Sequence, residues 1–555
     1  MPLVGPPPHG GVLVDLLVGD DRAAELAVAA RRLPRWELTR RQRCDLELLA
    51  TGGFSPLRTF LDQVDYESVC ASMRLSTGEL WPIPVTLDLP DEVVAEASSA
   101  GGVILRARGA DVAVLWLRTA WRPDRRAEAA AVFGTTDPTH PGVNAVLHES
   151  HPWYVSGPLE VLELPAHHAF RSMRHTPAEV RALLAERGWE RVVAFQTRNP
   201  MHRAHQELTI RATRSLDAGL LLHPVVGVTK PGDVDPHVRV RCYRALLPTY
   251  PPGSVLLSVL PLAMRMAGPR EALWHAIVRK NHGATDFIIG RDHAGPGRDR
   301  QGRPFYEPYA AQDLVRQHER ELGIGVVPFA QMVYVQELQK YVPEDEVSPG
   351  WHCLRISGTE QRRRLAHGED LPGWFTPPEV AAELRRAFPA RSEQGVGVLV
   401  RVVPDPHGVA AAVAARLREA GRTVTVLDGS IWPVAAGVFP LVVHLIGEVM
   451  RNGGTVVCSG KAADRLADAG SRLARCGLLL QVCDTGEEAG VFDAPSDTGK
   501  EATPVVIPDD ATPDAVGEIV WRRLRASGYL ADGPVRPATE QPLDDAVGVG
   551  AATSR

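Results

Sequence analysis

The chain has 555 residues, 44% hydrophobic and 23% charged, a balance that excludes wholesale disorder and a protein made mainly of membrane spans. At roughly 150 residues per domain it predicts three or four domains. With 61 Lys plus Arg against 67 Asp plus Glu the formal charge is -6, so no global positive field draws it to nucleic acid or a membrane surface, and any anion must be held locally. The start, MPLVGPPPHGG, lacks the basic and apolar runs of a secretory leader. Residues 1–168 carry short β-rich runs broken by Gly and Pro, such as LWPIPVTLDLP at 80–90 and GGVILRARG at 101–109, and predict a barrel-like β domain with some helix. Over 169–330 the texture changes. A helix is expected from Thr176, where Thr176 and Glu179 have capping-box spacing, followed by a strand RVVAF at 191–195, a polar turn, a helix from near His202, and a strand DFIIG at 286–290 before RDHAGPGRD. That alternation predicts a parallel α/β sheet with a site at the carboxyl ends of its strands. Residues 331–392 read as a small helical unit closed by LPGWFTPPEV, with Pro377 and Pro378 at a helix entrance. From 393 to 532 the apolar runs VGVLVRVV, TVTVLDG, TVVCSG and LLLQVCD predict a second α/β domain, and 533–555 reads as a mobile tail. The apolar stretch Trp432 to Met450 is interrupted by Pro433, Pro440, His444 and Glu448; it falls short of the about 20 apolar residues a span needs and reads as core. Seven scattered cysteines without a CxxC pair suit a reducing compartment, and the protein is expected in the cytoplasm.

The chemistry concentrates in two loops. Gln196, Thr197, Arg198 and Asn199 form a run of hydrogen-bonding side chains after the first strand, and Arg198 offers a planar fork of donors for an oxyanion. A solvated loop arginine is the plain alternative. His202 and His205, three apart, share one face of a first helical turn whose free N–H groups suit phosphate or sulfate. HxxH alone leaves a metal pair or two surface histidines open. No third ligand has recognisable spacing, so anion contacts are favoured and no protein-held metal is expected. In the second loop Gly290, Arg291, Asp292 and His293 precede Ala294-Gly295-Pro296-Gly297, small residues that let backbone approach a ligand. Three arginines at 362–364 read first as a solvated helix face.

QTRNPMHRAH followed by GRDHAGPG resembles the ATP sulfurylases, the sulfate adenylyltransferases. The likeness extends through PHGG at 8–11, RQRCDLELLATGGFSPL at 41–57, LWPIPVTLD at 80–88, HPGV at 140–143, GVTKPGDVD at 227–235, LPLAMRMAGPREALWHAIVRKNHGATDF at 260–287, MVYV at 332–335 and ISGTEQRRRL at 356–365. It implies a multidomain α/β protein: a β-barrel-like, PUA-like amino-terminal domain, a Rossmann-like HxxH nucleotidyltransferase domain and a small third domain. It further implies conversion of MgATP and sulfate to adenylyl sulfate and pyrophosphate. On matching positions, Thr197, Arg198 and Asn199 are the active-site run; Gln196, Arg198 and Ala294 hold sulfate. The ATP contacts are Gln196, Thr197, Arg198, Asn199, His202, His205, Gly290, Arg291, Asp292, His293 and Val333. Two departures stand out: Asp286, where the family carries His, and QELQKY after Val335, which lacks the family's acidic residues.

From Val398 the sequence is similar, more weakly, to the opening of adenylyl-sulfate kinases, a P-loop-kinase-like α/β fold. Aligning on Gly408 puts Val409 and Ala410 where a Walker A loop needs Lys and Ser or Thr, and no GxxxxGK[ST] occurs anywhere. The domain reads as a degenerate kinase of the fungal type, without kinase activity. That resemblance implies a homo-oligomer, hexamer or dimer, and raises phosphoadenylyl sulfate as an effector. The competing readings are a bifunctional sulfurylase and kinase, against which the missing lysine counts, and a non-catalytic nucleotide-binding regulator, against which the intact loops count.

Overall fold

In the computed structural model the described residues are 5–230, 232–401, 405–420, 422–428, 439–459, 463, 466, 478–484, 505–507 and 511–530. The expected tail at 533–555, and with it Pro404, Trp432, Pro433 and Cys476, lies outside them. The chain divides into two compact units, Met1–Ser357 with Leu371–Leu384, and Gly358–Asp370 with Arg385–Arg555.

The first unit opens with strands divided between two sheets. One orders Arg35–Glu37, Val103–Ala107, Ala110–Leu115 and Leu159–Val161; the other orders Leu87–Leu89, Trp153–Ser156 and Thr119–Trp121. Of the LWPIPVTLDLP run only Leu87–Leu89 is strand, because Pro90 ends it and serves as N-cap of the helix Asp91–Ala100. One buried cluster, including Phe54, Trp81, Leu105, Trp274 and Phe287, runs from these sheets into the next.

That next sheet positions the site. Its five strands are all parallel, in the order Val255–Leu257, Gly219–Leu222, Val192–Phe195, Asp286–Ile289 and Gly325–Pro328. Val192–Phe195 and Gly219–Leu222 are buried at every position, as a sheet covered on both faces requires. Successive strands first add outward from Val192–Phe195 on one side, then restart on its other side with Asp286–Ile289. The chain reversal therefore opens a crevice at the carboxyl ends of these two strands, where ligands of such sheets bind. The helix Pro177–Glu186 leads into the sheet, and its capping box is real: Thr176 N–H donates to Glu179 at 2.7 Å, and Thr176 Oγ1 accepts from Glu179 N–H at 3.3 Å.

The segment expected to be a small helical unit differs. It contains a three-stranded antiparallel sheet of Met332–Val335, Lys340–Pro343 and Cys353–Leu354, built on buried Val333, Val335 and Val342, before the helix Pro378–Ala387. QELQKY forms its hairpin turn and second-strand entry, with Gln339 at φ 49°. Strands of four, four and two residues are too short for an alternating pattern to register in sequence.

In the second unit the parallel strands Val396–Val400, Val424–Asp428, Thr455–Ser459, Leu478–Asp484 and Val505–Ile507 match the four expected runs and add a fifth. Their spatial order is second, third, first, fourth, fifth. The helices Pro406–Glu419 and Pro513–Ala526 share one apolar cluster with this sheet. The helix Gly358–Ala366 carries the arginine run as a salt-bridged surface: Arg363 pairs with Glu360 and Glu369, and Arg364 with Glu360.

Candidate active site

The first loop leaves the sheet at Phe195. Gln196 and Thr197 are still 9% and 8% exposed, so their side chains turn inward at the strand end. Thr197 Oγ1 accepts from Asn199 N–H and donates to Asn199 O, both at 3.1 Å, closing a tight turn. Tyr243 hydroxyl donates to Asn199 O at 2.7 Å, and Val225 N–H to Thr197 O at 3.2 Å, so the neighbouring strand end and helix hold this turn in place. One end of the Gln196 amide, Oε1, is buried without a partner among the described residues. An amide presents donors or an acceptor by rotation, so this group is poised to meet a ligand.

Arg198 reaches across the crevice. Its Nη2 donates to Gly295 O in the second loop at 3.1 Å, and its Nη1 lies 3.4 Å from Asp233 and 3.3 Å from Met266 Sδ. The Arg198 side chain is 17% exposed, enough to be reached by a small anion. Asp233, in the GVTKPGDVD segment, shares its charge.

His202 is the N-cap of the helix Arg203–Leu216, whose amino terminus faces the turn. Its Nδ1 is 2.8 Å from Thr376 Oγ1 and its ring stacks on Phe375 at 4.4 Å, both from the segment Leu371–Leu384. His205 Nδ1 accepts the His202 N–H at 3.3 Å. Burial holds the His205 ring down to about 4, so near neutral pH it is an uncharged donor through Nε2 rather than a cation. Of the two groups, Arg198 brings a fixed positive charge to the crevice and His205 a neutral ring.

The second loop follows Asp286–Ile289. Asp292 and Ala294 have φ of 54° and 55°, the left-handed region that a chain adopts when it folds backbone tightly toward a site. Asp292 N–H donates to Pro308 O at 2.7 Å and Ala294 O accepts from Gly268 N–H at 3.2 Å. Arg291 Nη1 donates to Gln331 at 3.2 Å, which ties Gly290–His293 to the strand that holds Val333. Val333 is 1% exposed, backbone and side chain together, inside the small sheet's core, so nothing of it is open to a nucleotide. Lys230 Nζ lies 3.5 Å from Pro296 O, adding a second cation beside this loop.

The crevice thus gathers Gln196 to Asn199, Arg198 with Gly295, the His202 helix start and the Gly290–Gly297 loop. Asp233, Met266, Lys230, Tyr243, Phe375 and Thr376 were not singled out from sequence. Of these, Asp233, Lys230 and Met266 lie in segments that carried the resemblance, which was their only signal. The departure at Asp286 falls at the opposite end of its strand from the loop, where its carboxylate pairs with Arg191 at 3.1 Å and accepts from Thr285 at 2.7 Å. Among the described residues no three His, Cys, Asp or Glu converge on a metal position.

Comparison with known proteins gives the family. Residues 171–387 match the family model ATP-sulfurylase, and residues 6–164 match that of the PUA-like domain. A sulfate adenylyltransferase of Phaeosphaeria nodorum is 48% identical over 431 residues, covering 76% of this chain and 75% of that protein. One of Aspergillus fumigatus is 44% identical over 517 residues, covering 88% and 90%. The chain belongs to the ATP sulfurylase family. The solved structure of a hexameric APS kinase from Thiobacillus denitrificans superposes with a TM-score of 0.74 at 28% identity, covering 95% of this chain and 100% of that one. This sulfurylase is therefore a multidomain α/β nucleotidyltransferase with a PUA-like amino-terminal domain and an APS-kinase-like carboxyl-terminal fold. Among the described residues no helix is long and apolar enough to cross a membrane.

Proposed function

We propose that the crevice adenylylates sulfate: a sulfate oxygen attacks the α-phosphorus of ATP in line, the bond to the β-phosphate oxygen breaks, and adenylyl sulfate and pyrophosphate leave. The observation that carries this reading is Arg198 bridging the two loops, one hydrogen bond from Gly295, in the same turn as Gln196, whose buried Oε1 has no partner among the described residues. Sulfate is fully ionised near neutral pH, so the reaction needs no general base. It needs alignment and relief of the repulsion between a dianion and a polyphosphate. In this reading Thr197, Arg198 and Asn199 are the reacting-centre residues, and Gln196, Arg198 and Ala294 hold sulfate. His202, His205, Gly290 to His293 and Val333 hold ATP. The loop donors are guanidinium, imidazole, amide and backbone N–H groups, which suit phosphate oxygens better than a resident metal. Mg2+ enters with ATP and offsets charge on its phosphates.

The second unit acts in assembly or regulation in this reading and not as a kinase, and the chain forms a homo-oligomer, hexamer or dimer, in the cytoplasm. The hexameric state of the Thiobacillus denitrificans APS kinase supports assembly, and light scattering on the full chain tests it. Phosphoadenylyl sulfate is the effector to test, by its effect on turnover. The domain division proposed is 1–168, 169–330, 331–392 and 393–532. The decisive experiment is pyrophosphate release from MgATP with and without sulfate. Release that depends on sulfate is expected; sulfate-independent release, or none, overturns the reading.

A further inference from the structure

Behind His293 of the second loop lies a buried polar pair that the proposed reaction leaves unused. The helix Gly268–Asn281 carries Glu271 and His275, four apart and both 0% exposed. His275 Nδ1 is 3.0 Å from His293 Nε2, and His275 Nε2 is 3.3 Å from Glu271 Oε1. That Nε2 makes no hydrogen bond among the described residues, and Glu271 Oε1 lies beside it at ion-pair distance. Glu271 also faces the other way: Oε1 accepts from Arg265 N–H and Oε2 from Ala267 N–H, each at 2.9 Å. Between those two amides sits Met266, at φ 63°, whose Sδ touches Arg198. The helix's first residue, Gly268, donates to Ala294 O. Arg265 in turn pairs with buried Asp45 at 2.6 Å.

We propose that Glu271 is a positioning residue that sets the two anion-holding loops against each other, fixing the His293 tautomer through His275 and the Met266 support of Arg198 through its backbone contacts. The assignment rests on the sulfurylase reading only for what the loops do, not for how they are held.

The geometry favours one placement of the protons along this chain. Both Glu271 oxygens act as acceptors, so a proton on His275 Nε2 faces the carboxylate at 3.3 Å and leaves Nδ1 as a lone pair toward His293. His293 then donates from Nε2, which leaves its Nδ1 as an acceptor. Burial holds both rings well below 6.5, in the neutral form this pattern requires. A neutral His293 brings no positive charge to the phosphates; it offers an acceptor and a fixed loop. A buried carboxylate with two backbone N–H donors and a histidine is the arrangement by which an outer residue holds an inner one to a single orientation.

The test uses the full chain labelled with 15N-histidine, the His293 signal being identified by its loss in His293→Gln. Long-range proton–nitrogen correlations at neutral pH are expected to show His293 protonated on Nε2 in the wild type and a mixture of tautomers in His275→Leu. A charged or Nδ1-protonated His293 in the wild type overturns the proposal, as does an unchanged signal in folded His275→Leu. The wild-type measurement stands even where the variant fails to fold. In Glu271→Gln, kcat is expected to fall about 100-fold, the scale of a small misplacement of reacting groups, with KM for ATP and sulfate little changed. An unchanged kcat overturns it. The tautomer needs no turnover, so its outcome is separate from that of sulfate-dependent pyrophosphate release, which tests the reaction.

Discussion

At the residue scale, Arg198 is the group on which the proposed chemistry turns, because its side chain joins the two loops while remaining reachable from the crevice. Arg198→Ala removes the fixed charge that offsets repulsion between the two anionic substrates, and loss of one such contact lowers turnover by roughly a hundred- to a thousand-fold. Steady-state pyrophosphate release with a melting curve checks this; a folded variant of near-normal rate refutes the assignment. His202 and His205 part company. The first is a stacked, hydrogen-bonded cap and the second a neutral ring whose Nδ1 is already committed. Each alanine variant is expected to raise KM for ATP, and zinc analysis of the purified protein is expected to show none that depends on the pair. Stoichiometric zinc lost in either variant would instead make HxxH a metal site. The loop side chains could be read from the sequence because they are consecutive. Their supports could not: Asp233, Met266, Phe375 and Thr376 arrive from three distant segments, and only the fold brings them within reach.

At the scale of elements, the strand, turn and helix around Gln196 were legible, since an apolar run, a polar turn with Pro200 and a capped helix follow each other without ambiguity. The small sheet after Met332 was not, being made of very short strands. The helix that begins at Gly268 shows how an element end serves the site. Gly268 has φ 49°, and a Cβ there would lie 2.4 Å from the Tyr306 ring, which is itself held by hydrogen bonds of its hydroxyl at 3.1 Å to His140 and to Phe133 O. Neither the backbone nor the ring can give way easily. Gly268→Ala is therefore expected to destabilise the chain by more than about 1 kcal/mol, since alanine is placed at positive φ and against a fixed ring. Because Gly268 N–H holds Ala294 O, turnover should fall with it. Denaturant midpoints and pyrophosphate release measure the two effects, and a variant as stable as the parent refutes the packing argument.

At the scale of the whole molecule, burial of histidines sets the acid limit of the first unit. His140 and His205 are held down to about 4 and His282 to about 3, and His223, His275 and His293 well below 6.5, each mainly by desolvation. Unfolded, these rings take up protons near 6.5; folded, they do not until the lower values, so the unfolded state binds more protons between. Their contribution to stability is complete above about 6.5 and is lost as the pH falls toward 4. Glu128 and Glu271, pushed up by burial, act in the opposite sense but are fewer. The melting temperature of the full chain is expected to drop across that window, and a flat profile refutes the account. In the second unit the fold was legible, and so were the departures at its helix start on which the proposed lack of kinase activity rests. The strand Val396–Val400 leads to the helix Pro406–Glu419, the place where a phosphate loop would end. There Pro406 has no N–H to offer, and Asp405 Oδ1 accepts from Gly408 N–H at 2.9 Å, setting a carboxylate where a phosphate would bind. Val409 and Ala410, at the positions of the missing lysine and hydroxyl, are 3% and 1% exposed and packed into the apolar cluster. At this helix start a phosphate meets, among the described residues, a negative charge, no lysine and a donor already taken, each of which opposes binding. With adenylyl sulfate and MgATP, the full chain is expected to yield no 3′-phosphorylated product under conditions where sulfate-dependent pyrophosphate release is readily measured. Appearance of that product would show that the unit holds ATP phosphates by groups other than its helix start.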